Sequence, residues 1–176
     1  MKMRTRLALA ALLAVIALPP RAMAQACAVE FEITITQGVG PMTPGTRMTG
    51  AADFTLQNRA IPAEAGNTVH LAQGEMRLGP SITGQIWALV TTSNGAVADL
   101  IGLYARDVQG MSFAGLTYAG PMMITLYGPP GTRPTDAPPL AQRDWDAMTT
   151  PRRFALHSQG YDRLAGDVTA LRITCD

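Results

Sequence analysis

Polar and apolar residues alternate most strictly near the start of the chain. Cys27, Val29, Phe31, Ile33 and Ile35 share one parity, and Glu30, Glu32, Thr34 and Thr36 take the other. Period-two alternation rich in β-branched residues is the pattern of a half-buried strand. The same pattern returns at the far end, with Leu171, Ile173 and Cys175 set against Arg172 and Thr174. Both cysteines thus take the core-facing parity, one opening the first strand and the other closing the last. That arrangement suits antiparallel neighbours, or strands facing each other across a sandwich.

Between these ends the pattern predicts strands over 48–56, 68–71, 75–78, 82–92, 97–106, 111–118, 121–127 and 153–158, with the closing strand over 167–175. Glycine, proline and asparagine separate them, notably Gly38-Val39-Gly40-Pro41, Ser93-Asn94-Gly95 and Gly120-Pro121. The second of these is a hairpin signal. Segments 82–92 and 97–106 are apolar at both parities, as expected of strands covered on both sides or of a barrel wall around an apolar interior. Residues 128–139 are dense in proline and glycine and read as a surface loop, and 140–148 as one or two helical turns. Short strands at about ten-residue spacing predict an all-β fold. The expected architecture is an antiparallel, jelly-roll-like β-sandwich whose first and last strands are adjacent and disulfide-linked, with a small β-barrel as the alternative.

Residues 1–24 carry the three parts of a secretory signal peptide. Lys2, Arg4 and Arg6 precede an apolar run over 7–18, and Pro19 and Pro20 lead to Ala22-Met23-Ala24. The run is too short for a permanent membrane span. Export to the periplasm or beyond leaves one β domain, 25–176, with no further transmembrane candidate. Ala24 stands where a lipid-attachment signal usually carries leucine, which argues against lipid anchoring at Cys27. Loss of Lys2, Arg4, Arg6 and Arg21 takes the formal charge from +1 to −3 and removes the only lysine. The remaining arginines are scattered apart from Arg152-Arg153, so neither nucleic acid nor a polybasic membrane contact is expected. In an oxidising compartment, Cys27 and Cys175 are expected to pair.

Three pieces of the chain are similar to the secreted β-domains of PEP-CTERM and VPLPA-type bacterial surface proteins. Phe31-Glu32-Ile33-Thr34-Ile35-Thr36 with Thr49-Gly50-Ala51-Ala52-Asp53-Phe54 resembles their opening pair of strands. Met123-Ile124-Thr125-Leu126-Tyr127-Gly128, the proline-rich loop, Trp145 and Arg153-Phe154-Ala155-Leu156 resemble a late strand–loop–strand. Gly166-Asp167-Val168-Thr169-Ala170-Leu171-Arg172-Ile173 resembles the closing strand. The resemblance implies a secreted β-domain and supplies no catalytic residue. Those proteins also carry a C-terminal sorting tail, a part that the resemblance does not cover.

Candidate chemistry is sparse. Arg143, Asp144, Trp145 and Asp146 form the best candidate for ligand binding, because an indole face beside carboxylates can stack on a sugar and accept its hydroxyls. The competing assignment makes Trp145 a plug at one end of the core, with the acids capping a helical turn. Asp162 joining those acids would still fall short of the six or more oxygens calcium takes. Gly110-Met111-Ser112-Phe113-Ala114 resembles a nucleophile elbow without its last glycine, yet Ser112 falls in a predicted strand. His70 and His157 have no zinc-ligand spacing and are expected as strand or surface histidines. No phosphate loop or dinucleotide fingerprint is present, so no cofactor or metal is expected.

These readings predict an exported, non-enzymatic domain, a binding or structural module of the cell envelope whose partner is a carbohydrate or another envelope protein. A small barrel holding a lipid or other apolar ligand is the second expectation, and an envelope hydrolase the third.

Overall fold

The computed structural model describes residues 24–63, 66–158 and 162–176; all of the signal segment but Ala24 lies outside them. Eight strands form the main sheet: β1 (Gln25–Gln37), β2 (Arg47–Pro62), β3 (Asn67–Leu78), β4 (Ile82–Thr92), β5 (Asp99–Gln109), β8 (Met122–Gly128), β9 (Arg152–His157) and β10 (Arg163–Cys175). Two short strands, β6 (Ser112–Phe113) and β7 (Leu116–Thr117), form a separate ribbon, and α1 (Gln142–Asp146) lies between β8 and β9. The main sheet closes on itself in the order β1-β10-β9-β8-β5-β4-β3-β2. Each strand pairs antiparallel with its neighbour in the chain, the ribbon counting as an excursion between β5 and β8.

The all-β class and the adjacent first and last strands are as expected, but the sandwich is not. The architecture is the barrel alternative. β1 pairs with β10 on one side and with β2 on the other, and the ring of eight is closed, so every main strand has two neighbours and the sheet does not divide into two layers. Closure removes the unpaired backbone groups that a sandwich leaves at its edges.

Eight strands enclose a space that side chains just fill, and here they fill it. Ile33, Ile35, Met76, Leu78, Leu89, Ile101, Leu103, Met122, Ile124 and Phe154 are fully buried. Phe31 and Phe154 stack across the interior with ring centroids 6.4 Å apart. The Phe31 ring lies where a Cβ on Gly50 would have to stand, so this large ring is accommodated by its small neighbour on β2. On the outer face, Tyr104 lies over Gly102 of its own strand and meets Trp87 at 6.4 Å. These contacts explain why β4 and β5 read as apolar on both faces.

Cys27 and Cys175 are direct register partners and are bonded, linking positions 148 residues apart. A β-bulge shifts the β1–β10 register between Glu32 and Ile33, opposite Ala170 and Val168. It changes the inward parity of β10 from Leu164, Gly166 and Val168 to Leu171, Ile173 and Cys175. Two other predictions need correction. Segments 68–71 and 75–78 are one strand, kinked by a register shift between Leu71 and Gly74. Segment 111–118 is not a strand but the β6–β7 ribbon, turned at Ala114 and Gly115, both with positive φ. That pair of left-handed residues gives the turn a tight hairpin needs.

The meander sets two ends. One gathers the starts of β1, β3, β5 and β9 with the ends of β2, β4, β8 and β10. The long 129–151 connection covers it. β9 pairs with β10 only over Arg163–Asp167 of the latter, leaving later backbone groups of β10 without a strand on that side. Gln142 of α1 takes their place: its Nε2 donates to the Leu171 carbonyl at 3.1 Å and its Oε1 accepts from the Ile173 N–H at 2.7 Å. One amide side chain thus completes the ladder where β9 stops.

Candidate functional site: the plugged mouth

At this covered end the inward positions turn polar. Thr68 and His70 on β3, Thr91 on β4 and Asp99 on β5 are buried, and register places Arg152 of β9 opposite the inward Leu126. From the plug itself comes Arg133, only 6% exposed. This polar layer lies between the apolar core and the covering loop.

Asp99 holds two loops at once. Its Oδ1 accepts from the Gly95 N–H at 2.8 Å and its Oδ2 from the Arg133 N–H at 2.6 Å. Ser93 and Asn94 donate to the carbonyls of Thr135 and Pro134, and the Asn94 N–H donates to the Arg133 carbonyl. The hairpin signal at 93–95 is therefore also a docking point for the proline-rich loop. Proline carbonyls suit that role, since the ring removes a donor and leaves the acceptor free.

His70 lies 3.2 Å from Thr91, Nε2 to Oγ1. Burial pushes its imidazole below the ordinary range, and the Arg133 cation pushes the same way; a hydrogen bond to the Asp136 backbone and the Asp136 carboxylate oppose both. Burial likewise lowers the Arg133 guanidinium, against the attraction of Asp144, Asp99 and Asp136. Its Nη2 donates to the Ala137 carbonyl, while its Nε has no partner. Arg152 keeps Nε and Nη2 buried and unpartnered at the same mouth.

A pocket of about 360 Å³ opens beside this layer, between the 132–138 loop and α1. Arg133, Thr135, Arg143 and Asp144 contribute to its wall. Two of the four residues predicted for ligand binding, Arg143 and Asp144, therefore meet here. Asp144 reaches back to the Ala141 N–H at 3.4 Å and lies 3.9 Å from Arg143 Nε. Trp145 is elsewhere. It is fully buried, with Nε1 donating to the Pro139 carbonyl at 2.9 Å, so it has no open face for a sugar and acts as the plug. Asp146 accepts from Gln142 Nε2 at 2.8 Å on the exposed side of α1.

The other sequence candidates do not converge. Ser112 is exposed on β6, beyond the Gln109 end of β5, whereas His70 is at the opposite end of the barrel. Asp162 adjoins the start of β10, remote from Asp144 and Asp146. His157 ends β9 and is partly exposed. A larger groove of about 550 Å³ crosses the outside of β1, β2 and β10. It is open, and Arg77 on its rim is already paired with Asp53 and Glu75. The mouth pocket, next to a buried cation that forms no ion pair among the described residues, is the stronger site.

Sequence reasoning missed Arg133 and the inward face of His70. His70 was expected as a strand or surface histidine; in the structure Thr68, His70 and Ala72 point in, and Val69 and Leu71 join the apolar outer face of β4. No sequence signal distinguished Arg133 from the other arginines.

Fold and site together define an up-and-down, eight-stranded antiparallel barrel with a filled interior and a plugged, polar mouth. No protein-family model, curated protein or solved structure matches the chain. Among the described residues no helix is long and apolar enough to cross a membrane, and the Cys27–Cys175 bond points to an oxidising compartment.

Proposed function

We propose that this chain is an exported, non-enzymatic barrel module of the cell envelope that binds a small polar ligand at its plugged mouth. The observation that carries this reading is the 360 Å³ pocket in which Arg143 and Asp144 meet the buried Arg133. Its volume falls at the small end of the range of about 300–1,000 Å³ typical of ligand sites. It is built on a loop held to the barrel by Asp99 and by a buried tryptophan, so its walls are positioned before a ligand arrives. A lipid inside the barrel would need the space that Phe31, Phe154 and the branched aliphatic side chains occupy. The nucleophile candidate Ser112 and the histidine His70 stand at opposite ends, which favours binding over hydrolysis.

Native mass spectrometry of the protein purified from its own envelope tests the reading. The expected result is a low-mass polar adduct, lost when Ala147→Trp fills the pocket. A co-purifying lipid would overturn it in favour of an interior apolar ligand. A protein that carries nothing and takes up nothing from an envelope extract would favour a structural role.

A further inference from the structure

Resting on the assignment of the mouth pocket as the binding site, we propose that its ligand bears an anionic group, a carboxylate or phosphate, held by the Arg133 guanidinium with Arg143 at the rim. Arg133 lines the pocket, and among the described residues it forms no ion pair. Asp144, Asp99 and Asp136 attract it without closing to an ion pair, and the first two hold other partners. Asp99 is engaged by two backbone N–H groups, Asp144 by the Ala141 N–H and Arg143, and Asp146 by Gln142. Asp136 is exposed, on the side of His70.

A guanidinium taken out of water with no carboxylate in direct contact is costly, and an unmet buried donor adds to that cost. Arginine stays protonated in proteins, so the charge is not shed by losing a proton. An oxyanion relieves the cost directly, because two of its oxygens match the fork of a guanidinium. Arg143, its side chain 89% exposed and held only by a 3.9 Å pairing with Asp144, can swing over such a group. Arg152 keeps two unpartnered donors of its own at the same mouth.

The test is an NMR titration of the isotope-labelled mature protein with inorganic phosphate, galacturonate and galactose, at ionic strength held constant with sodium chloride. Phosphate or galacturonate is expected to shift the amides of Thr135, Ala137, Arg143 and Ala147, with galactose at least tenfold weaker. A preference between the two anions separates a phosphate ligand from a sugar acid. Arg133→Gln should weaken anion binding tenfold or more. Arg143→Gln, an exposed position that leaves the fold intact, should weaken it about threefold. Equal binding of galactose and galacturonate at these amides, unaffected by Arg143→Gln, would overturn the anionic class and leave the pocket assignment standing. Shifts confined to other surfaces, or none with any probe, would overturn both.

Discussion

His70 and Arg133 show how strongly a side chain's behaviour depends on what covers it. In the unfolded chain the His70 imidazole titrates near its ordinary value of about 6.5; in the folded protein burial and the Arg133 cation hold it lower. Between those two values the unfolded state binds more protons, so unfolding free energy rises with pH across that window. The contribution of neutral His70 is fully present above about pH 6.5 and is lost as pH falls toward the folded value. Urea midpoints of wild type and His70→Gln at pH 7.5 and 5.5 should show a smaller acid loss in the variant. Equal losses in both would remove His70 from the account. None of this was legible in the sequence, where His70 read only as a strand or surface histidine. The outer face of β3 is apolar at Val69 and Leu71, where it adjoins β4, and a two-letter pattern does not say which parity of so short a segment faces in.

The 129–151 connection was legible as a proline-rich loop followed by a helical turn, and α1 falls inside the predicted 140–148 segment. The role of the connection was not. Trp145 had been offered two roles, platform or plug, and only burial separates them. Truncation of Trp145 to alanine removes a fully buried indole and its bond to Pro139. It should cost about 3–5 kcal/mol, read as a lower urea midpoint. A loss below about 1 kcal/mol would mean that the plug is not integral to the barrel. Gln142 had no signal at all, because its function depends on β9 ending short of the last residues of β10, a distance set by other parts of the chain. The merging of two predicted strands into β3 has a similar origin: Gly74 looks like a break, but its missing side chain is what allows the Asp53 carbonyl to press against it at the kink.

The Cys27–Cys175 bond closes nearly the whole described chain into one loop. On the chain-entropy model, removing it with Cys27→Ser and Cys175→Ser should lower stability by about 4–5 kcal/mol. The urea dependence of unfolding should steepen as well, because the unbridged unfolded chain exposes more surface. Mass spectrometry gives a direct check: denatured, unreduced protein should gain no mass from an alkylating reagent, and a gain at Cys175 would refute the bridge. The export signal predicted this pair, and parity added that each cysteine fell on the apolar side of its strand. The adjacency of the first and last strands followed from the pair, and most of the strand inventory from the local rule that a half-buried strand alternates with period two. That rule is identical in a sandwich and in a barrel, because both have one inner and one outer face. Only the tertiary structure decided between them, by closing all eight strands into one ring, and only it decided which polar residues the closed mouth would bury. Those outcomes depend on which strands meet, and alternation within a strand carries no record of its neighbours.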